Sequence, residues 1–340
     1  MFLLGAGATR GALPHVLLNR KRVKPPLNGD FFEVATTYAR AHGPASAESR
    51  RLQRLRRVFN EDLPVRGMPM MEEAFSLLYL AGDFPEIYRQ RRGRKPASGR
   101  RQEMDDFLRL AFGILTLLDK STTVSTGYDR LATRLEKGDT IISLNYDTVL
   151  DSALWRHGWN PTSGYSLGGG GDKIRWRTRR DTSLGDALAI RLLKLHGSVN
   201  WFVRGNFSRL EAAFVKKPVR VTAPRSNEIT GHIRQIVPPI YGKTFKHDHW
   251  RRLWDLAYHA LCEAEVLVVI GCSLIDTDFH LRALVSRAAK WRKTQGSLFH
   301  SVVLVDTKLA VRRKWRRALR GTSTDYESVN GFDKFLMEER

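Results

Sequence analysis

Residues 1–9 read MFLLGAGAT, a short apolar run that stops at two closely spaced glycines. A buried strand that ends in Gly-x-Gly is typical of a parallel sheet that meets a phosphate, because a residue without a β-carbon lets a ligand approach the backbone. The spacing departs from the dinucleotide fingerprint, since Gly11 follows Gly7 by four residues rather than three. A tight turn with a purely structural role at Gly5 and Gly7 is the alternative.

Three later segments show the same order of apolar strand, turn and amphipathic helix. The pairs are 140–144 with 148–156, 265–270 with 278–291, and 301–305 with 307–320. Strands that alternate with helices in this way predict an α/β fold, here a Rossmann-like, doubly wound parallel sheet with helices on both faces.

The stretch between the first two strands has mostly helical spacing. Apolar residues repeat at three and four positions over much of 31–136. We therefore expect a Rossmann-like domain formed by 1–43 and 137–325, with a mostly helical insertion at 44–136. Inside the insertion, 89–101 (RQRRGRKPASGRR) combines Gly, Pro and Ser with dense positive charge, which predicts an exposed basic loop.

The segment between the glycine turn and Asp30 contains three prolines, which interrupt both helices and strands. We interpret it as a loop-rich lid over the turn. Asp30 lies about 20 residues after the glycines, where a dehydrogenase places a ribose-binding carboxylate. However, it follows PPLNG rather than a buried strand. This disfavours hydride transfer and suits a loop contact with a ligand.

Composition bears on the compartment and the partners. The 57 Lys and Arg residues against 35 Asp and Glu give a formal charge of +22, which attracts polyanions such as nucleic acid. The alternative is that these cations only solvate helix faces. There are two cysteines, the apolar start is too short for a signal peptide, and no apolar run approaches the roughly 18 residues of a membrane span. We expect a cytoplasmic protein without disulfides and without a membrane partner.

Polar side chains follow two of the predicted strands. Asn145 and Asp147 come after the second strand, and His196 follows the apolar run 189–193. Because the carboxyl ends of parallel strands share one edge of a sheet, we expect these side chains to converge on a ligand crevice. Two alternatives are open: Asp147 caps the following helix, and a lone histidine is often structural.

The last two predicted strands also end in candidate ligand residues. Gly271 and Ser273 follow one strand, and Asp306 follows the other, where its carboxylate is placed to accept hydrogen bonds from ribose hydroxyls. Helix capping is the alternative role for Asp306, as it is for Asp278.

Four motifs together resemble the sirtuin-like NADase family, of the type found among bacterial anti-phage effectors. They are GAGAT at 5–9, NYD at 145–147, KLHGSVNW at 194–201 and GCSLIDTD at 271–278, with PPLNGDFF at 25–32 and VPP at 237–239 in support. The resemblance spans nearly the whole chain and implies a Rossmann-like domain that binds NAD⁺ as a substrate and carries a helical insertion.

The resemblance also implies roles for the candidate residues. Asn145 and Asp147 would hold the nicotinamide ribose and the attacking water, and His196 would contact the ribose hydroxyls. The remaining ligand residues would be Gly5, Ala6, Gly7 and Thr9 at the pyrophosphate, Asp30 and Phe31 from the lid, and Gly271, Ser273 and Asp306 on the adenosine side.

Protein-deacylating sirtuins resemble this chain in the same motifs but carry a four-cysteine zinc module. Cys262 and Cys272 cannot form such a site, so we expect no metal. Hydrolysis of NAD⁺ is therefore favoured over deacylation. Nicotinamide is a good leaving group, and the enzyme has only to orient the ribose and one water, exclude bulk solvent and manage a proton.

The resemblance implies an effector that depletes NAD⁺ when a separate sensor or activator reports infection, for example a helicase-type ATPase or an Argonaute-like protein. We also expect a homo-oligomer. Two other functions are alternatives. In one, the chain is a nucleic-acid-binding module with a vestigial NAD fold, in which 89–101 and 312–320 grip phosphates. In the other, it is an NAD-dependent protein deacylase.

Overall fold

The computed structural model describes residues 1–62, 67–83, 100–120, 126–166, 189–204, 210–212, 232–236 and 248–338. Most of the predicted basic loop, at 89–99, and the VPP motif at 237–239 lie outside the described residues.

The strands of the described chain are, in order, β1 (Phe2–Leu4), β2 (Val16–Leu18), β3 (Lys21–Val23), β4 (Thr140–Ser143), β5 (Arg191–Lys194), β6 (Gly197–Arg204), β7 (Leu210–Ala212), β8 (His232–Ile236), β9 (Val266–Ile270), β10 (Ser301–Val305) and β11 (Tyr326–Val329). The α-helices are α1 (Ala6–Ala12), α2 (Phe31–His42), α3 (Ala47–Arg57), α4 (Met71–Asp83), α5 (Arg100–Lys120), α6 (Gly127–Ala132), α7 (Val149–Arg156), α8 (Pro161–Gly164), α9 (Asp248–Glu263), α10 (Phe279–Gln295), α11 (Leu309–Ala318) and α12 (Phe332–Met337). A 3₁₀ turn covers Asn28–Asp30, and a π-helical turn covers Val58–Asp62.

Six parallel strands form the central sheet, in the order β11-β10-β9-β1-β4-β5. Counted along the chain, these six strands have the order 6-5-4-1-2-3. This is the strand order of a dinucleotide-binding Rossmann sheet, and it reverses direction between β1 and β9. The predicted Rossmann-like α/β class is confirmed. Ligands of open α/β sheets bind outside the carboxyl ends of the strands at such a switch point.

Burial explains why these short apolar runs became strands. The residues of β1 and β4 are all buried, as expected for parallel strands that are covered by helices on both faces. The helices of the insertion extend the same core, since Phe31 and Phe32 of α2 stack with Phe107 of α5 at ring distances of 5.2 and 6.2 Å. The prediction of helical structure after residue 31 is confirmed for α2 to α6.

Three parts of the chain differ from the prediction. The lid contains an antiparallel hairpin of β2 and β3, because its prolines fall outside both strands. The segment after β5 forms a second, antiparallel sheet of β6, β7 and β8. The predicted domain boundary at 325 falls just before β11, which pairs with β10 and completes the central sheet. Within the described residues, no helix is both long and apolar enough to cross a membrane.

Candidate active site

The loops after β1 and β9 touch backbone to backbone at the switch point. A β-carbon on Gly5 would lie 2.6 Å from the Gly271 carbonyl oxygen, and one on Gly7 would lie 2.8 Å from Gly271 Cα. Gly271 has a positive φ of 57°, and a β-carbon there would meet the Ala8 nitrogen at 2.2 Å. The two loops can pack only because these residues are glycines, which favours the structural alternative for this turn.

The backbone amides of the turn are bonded inside the protein. Gly5 donates to the Ile270 carbonyl at 3.0 Å, and Gly7 donates to the Gly271 carbonyl at 2.9 Å. These two amides are therefore already bonded to the end of β9 and the loop after it, and a contact of Gly5 or Gly7 with a pyrophosphate stays a prediction. Ala6, between them, is exposed and begins α1.

Four buried polar side chains meet behind the turn, and we call them the Thr9 cluster: Thr9, Tyr128, Asn145 and Asp147. Thr9 Oγ1 lies 2.9 Å from Asn145 Nδ2, 3.0 Å from the Tyr128 hydroxyl and 3.1 Å from Asp147 Oδ2. An amide nitrogen only donates and a carboxylate only accepts, so Tyr128 donates its proton to Thr9. The Thr9 hydroxyl thus uses its one proton and both lone pairs within the protein. A contact between Thr9 and a pyrophosphate stays a prediction.

The side chains of Asn145 and Asp147 also form hydrogen bonds with backbone groups. Asn145 Nδ2 donates to the Gly5 carbonyl at 3.0 Å, which ties the end of β4 to the end of β1. Asp147 Oδ1 accepts the N–H of Val149, the first residue of α7, at 3.1 Å, which ties it to the start of this helix, although the N-cap position itself is Thr148. Burial raises the pKa of Asp147, and the nearby ammonium group of Lys194 opposes this effect.

A buried ion pair also holds the loop after β4 in position. Lys194 Nζ donates to the Asp147 carbonyl at 2.5 Å and to the Asp151 carboxylate at 3.0 Å, and both charged side chains are 1% exposed. Tyr165 donates to the same carboxylate and accepts a hydrogen bond from Asn200 at 3.2 Å. Because a buried charge is tolerated only when it is well paired, this network holds the loop after β4 in one position.

His196 meets a carboxylate that the sequence did not assign to it. Its Nε2 lies 3.0 Å from Asp278 Oδ2, and the two residues are 4% and 1% exposed. Asp278 Oδ1 also accepts the N–H of Leu281, so the expected capping of α10 is confirmed. We call these two residues the His196–Asp278 pair. It joins the end of β5 to the start of α10, and a carboxylate in this position orients an imidazole and stabilises its protonated form.

The insertion contributes a further acid to this edge. Glu72, in the first turn of α4, accepts a hydrogen bond from Thr277, and its backbone N–H donates to Asn28 Oδ1 at 3.0 Å. Burial raises the pKa of Tyr146 well above its ordinary value, and the Glu72 carboxylate adds to the effect. The Tyr146 ring lies 6.1 Å from that of His196. Helix α4 therefore connects the lid to the loop that precedes Asp278.

The two predicted ligand residues of the lid have other partners. Asp30 accepts hydrogen bonds from Arg10 and from the Leu27 N–H, each at 2.7 Å. Phe31 is 1% exposed and packs 5.2 Å from Phe107. The expected contact between Phe31 and a cofactor is therefore corrected, because its side chain belongs to the hydrophobic core.

The residues predicted on the adenosine side lie at the ends of β9 and β10. Ser273 is exposed, and Asp306 accepts the Lys308 N–H at 2.7 Å in the turn that precedes α11. Burial raises the pKa of Asp306. Asp306 adjoins a shallow depression that is also lined by Cys272 and Arg312.

The cysteines are separate and buried. Cys262 lies in α9 and Cys272 follows β9, and burial raises the pKa of Cys272 to about 12. In the part of the chain that the structure describes, no group of three His, Cys, Asp or Glu residues is placed to hold a metal ion. The absence of a zinc site stays a prediction.

Comparisons with known proteins give only distant likenesses. No protein-family model matches the chain. No curated protein matches it. Among solved structures, a Sir2 homologue in complex with NAD has 11% identity and a TM-score of 0.40 over 98% of this chain and 85% of its own. A mutant Sir2 homologue with ADP-ribose has 12% identity and a TM-score of 0.39 over 76% and 86%. These likenesses are too distant to support a function.

Proposed function

We propose that this protein hydrolyses NAD⁺ to ADP-ribose and nicotinamide at the carboxyl edge of β1, β4, β5 and β9. The observation that carries the proposal is the His196–Asp278 pair, a buried imidazole and carboxylate 3.0 Å apart at this edge. A buried pair of this kind in a sheet crevice is a recognised mark of proton-transfer sites.

The position of the His196–Asp278 pair in the sheet favours a dinucleotide as the ligand. The sheet has the strand order of dinucleotide-binding folds, and its switch point lies between β1 and β9. The pair reaches across this region, because His196 follows β5 and Asp278 follows β9. The four sequence motifs that resemble sirtuin-like NADases lie at the ends of β1, β4, β5 and β9. Fold and motifs therefore support the same ligand.

The proposed reaction uses only water as co-reactant. The bond between ribose C1′ and the pyridinium nitrogen breaks, and its electron pair stays with nicotinamide, which leaves as a neutral molecule. Positive charge develops on the ribose, water adds at C1′, and one proton is released. We assign His196 to accept the proton of a ribose hydroxyl and Asp278 to stabilise the imidazolium that forms.

Asn145 has a supporting role in this scheme. It follows Ser143 of β4, which pairs with Lys194 of β5, so Asn145 and His196 stand at matching positions beyond the two strands. Its amide nitrogen is already bonded to Gly5 and Thr9. We therefore propose that it holds the end of β1 in place beside the ribose and that its oxygen orients the ribose or the water.

The cellular role follows from the motif resemblance. We propose that the protein is the effector subunit of a bacterial anti-phage system and depletes NAD⁺ after activation by a separate sensor protein. Asn145 and His196 are each less than 10% exposed, so substrate reaches them only if the elements that cover them move. An activator that moves these elements would therefore control the reaction.

The direct test is to incubate the purified full chain with NAD⁺, with and without the protein encoded beside it, and to identify the products by chromatography. We expect ADP-ribose and nicotinamide in equal amounts. Formation of O-acyl-ADP-ribose from an acylated peptide would instead support a deacylase. An absence of NAD⁺ turnover with every partner tested would contradict the proposal.

A further inference from the structure

One face of α11 is a stripe of exposed arginines. Arg313, Arg316, Arg317 and Arg320 are all exposed, and their spacing of three, one and three residues places them on the same side of the helix. Arg320 belongs to the turn that continues α11, since its N–H bonds to the Arg317 carbonyl at 3.3 Å. We call these four residues the α11 stripe.

The other side of α11 fixes the direction in which the stripe faces. Trp315 is 1% exposed and donates its indole N–H to the Cys272 carbonyl at 2.6 Å. Leu319 is also buried. The helix therefore cannot rotate to shelter its arginines without breaking this packing.

The α11 stripe lies in a stretch of the chain without acidic residues. Residues 307–320 contain no Asp or Glu. Within the described part of the chain, none of the four arginines has a carboxylate within 4.0 Å, whereas Lys314 on the same helix pairs with Asp276 at 2.9 Å. Like charges three and four residues apart repel each other on a helix. The stripe therefore costs stability unless a negatively charged partner binds it.

Helix α3 carries two arginines that pair with carboxylates inside the protein. Its Arg54 pairs with the buried Asp106 at 2.7 Å, and Arg51 pairs with Asp106 and with Glu48. These guanidinium groups bridge α3 to α5. Among the described residues, no carboxylate pairs with the α11 stripe in this way, and its charges face outward.

Neighbouring residues extend the stripe and hold it in shape. The Lys293 side chain lies against Gly321, where an added β-carbon would be 3.3 Å from Lys293 Cε. The guanidinium of Arg316 lies over the Tyr326 ring at 5.5 Å, which limits its freedom. The surface therefore presents five cations, and the position of one of them, Arg316, is restricted by the Tyr326 ring.

We propose that the α11 stripe and Lys293 bind the phosphate backbone of double-stranded nucleic acid. Seven residues of helix span about 10 Å, which matches about three base steps of a duplex. Guanidinium groups bind phosphates in bidentate fashion, and a uniform row of them suits a regular row of phosphates. The contacts read no bases, so binding should be independent of sequence and strongly dependent on salt.

The test is fluorescence anisotropy with labelled duplex DNA of mixed sequence over a series of salt concentrations. The variant combines Arg313→Gln, Arg316→Gln, Arg317→Gln and Arg320→Gln. The control removes the same charge from α2 and α3 by Arg40→Gln, Arg50→Gln, Arg56→Gln and Arg57→Gln, all at exposed positions. We expect the slope of log affinity against log salt to fall by about 3 to 4 in the stripe variant and by less than about 1 in the control.

Several results would overturn the proposal: no binding by the wild type, an unchanged slope in the stripe variant, or an equal loss in both variants, which would mean that only net charge matters. Tighter binding of polyglutamate than of DNA would assign the surface to an acidic protein. If the fourfold variant does not fold, as judged by circular dichroism, the pairs Arg313→Gln with Arg317→Gln and Arg316→Gln with Arg320→Gln should each give about half the change in slope.

Discussion

The Thr9 cluster and the His196–Asp278 pair lie at the same edge of the sheet but are built differently. In the Thr9 cluster, one hydroxyl satisfies an amide, a phenol and a carboxylate, and the amide and the carboxylate also bond to the backbone. In the pair, an imidazole meets a carboxylate that also accepts a backbone N–H in the first turn of α10. The contacts of the first group keep the strand ends in place, and the proton transfer that we propose belongs to the second.

The largest expected effect is on turnover in His196→Gln. Glutamine can still donate a hydrogen bond to Asp278, but it cannot accept a proton, so kcat should fall by about 10²- to 10⁴-fold with little change in thermal unfolding. The control is His259→Gln at an exposed position of α9. NAD⁺ hydrolysis at the wild-type rate in His196→Gln would remove the pair from the chemistry.

Asn145→Ala should combine both kinds of effect, since Asn145 belongs to the scaffold and stands beside the proposed ribose site. The loss of its two hydrogen bonds should lower the free energy of unfolding by about 1–3 kcal/mol. Turnover should fall by a factor on the order of 10². Chemical denaturation and NAD⁺ hydrolysis measured on the same sample check this, and a change in activity without a change in stability would contradict the scaffold role.

Thr9→Val tests the scaffold alone. Valine keeps the shape of threonine but leaves the Tyr128 hydroxyl and the Asn145 amide without their shared acceptor, so the free energy of unfolding should fall by about 1–3 kcal/mol. Thr294→Val, at an exposed position of α10, should change it by less than about 0.5 kcal/mol. Equal unfolding midpoints for the two variants would show that the cluster is not needed for stability.

The fold was predictable from the sequence where a pattern is local. Five apolar runs that end in glycine or polar residues identified β1, β4, β5, β9 and β10, because buried parallel strands are short and mostly apolar. The hairpin of β2 and β3 was missed because proline is a strong interruption signal that says nothing about the residues between prolines. Strand β11 was missed because its central residues are exposed and polar.

The site was predictable only in its individual residues. Polar residues directly after buried strands indicate a functional or structural role, and this pattern identified Asn145, Asp147 and His196. No such pattern identified the residues around them. Tyr128 lies in a short helix, Glu72 lies in the insertion, and Asp278 already had a sufficient explanation as a helix cap. Contacts between distant segments leave no mark on local spacing.

The smallest expected effect concerns pH and the Thr9 cluster. Because burial raises the pKa of Asp147 in the folded protein, the native state holds this proton more tightly than the unfolded chain does. Stability from this group is therefore fully present below its ordinary pKa of 3.8 and is lost as the pH rises through the raised value. The wild type should lose stability relative to Asp147→Asn as the pH is raised above 3.8 in urea titrations. The opposite trend would contradict the assignment.

The most direct test of the central claim is to measure NAD⁺ binding and NAD⁺ turnover together in His196→Gln. We predict that isothermal titration calorimetry, with the activating partner present if the wild type needs one, gives a dissociation constant within about threefold of the wild-type value, while ADP-ribose formation falls by about 10²-fold or more. Binding that disappears together with turnover would make His196 a ligand-binding residue. Turnover that persists would place the chemistry elsewhere in the protein.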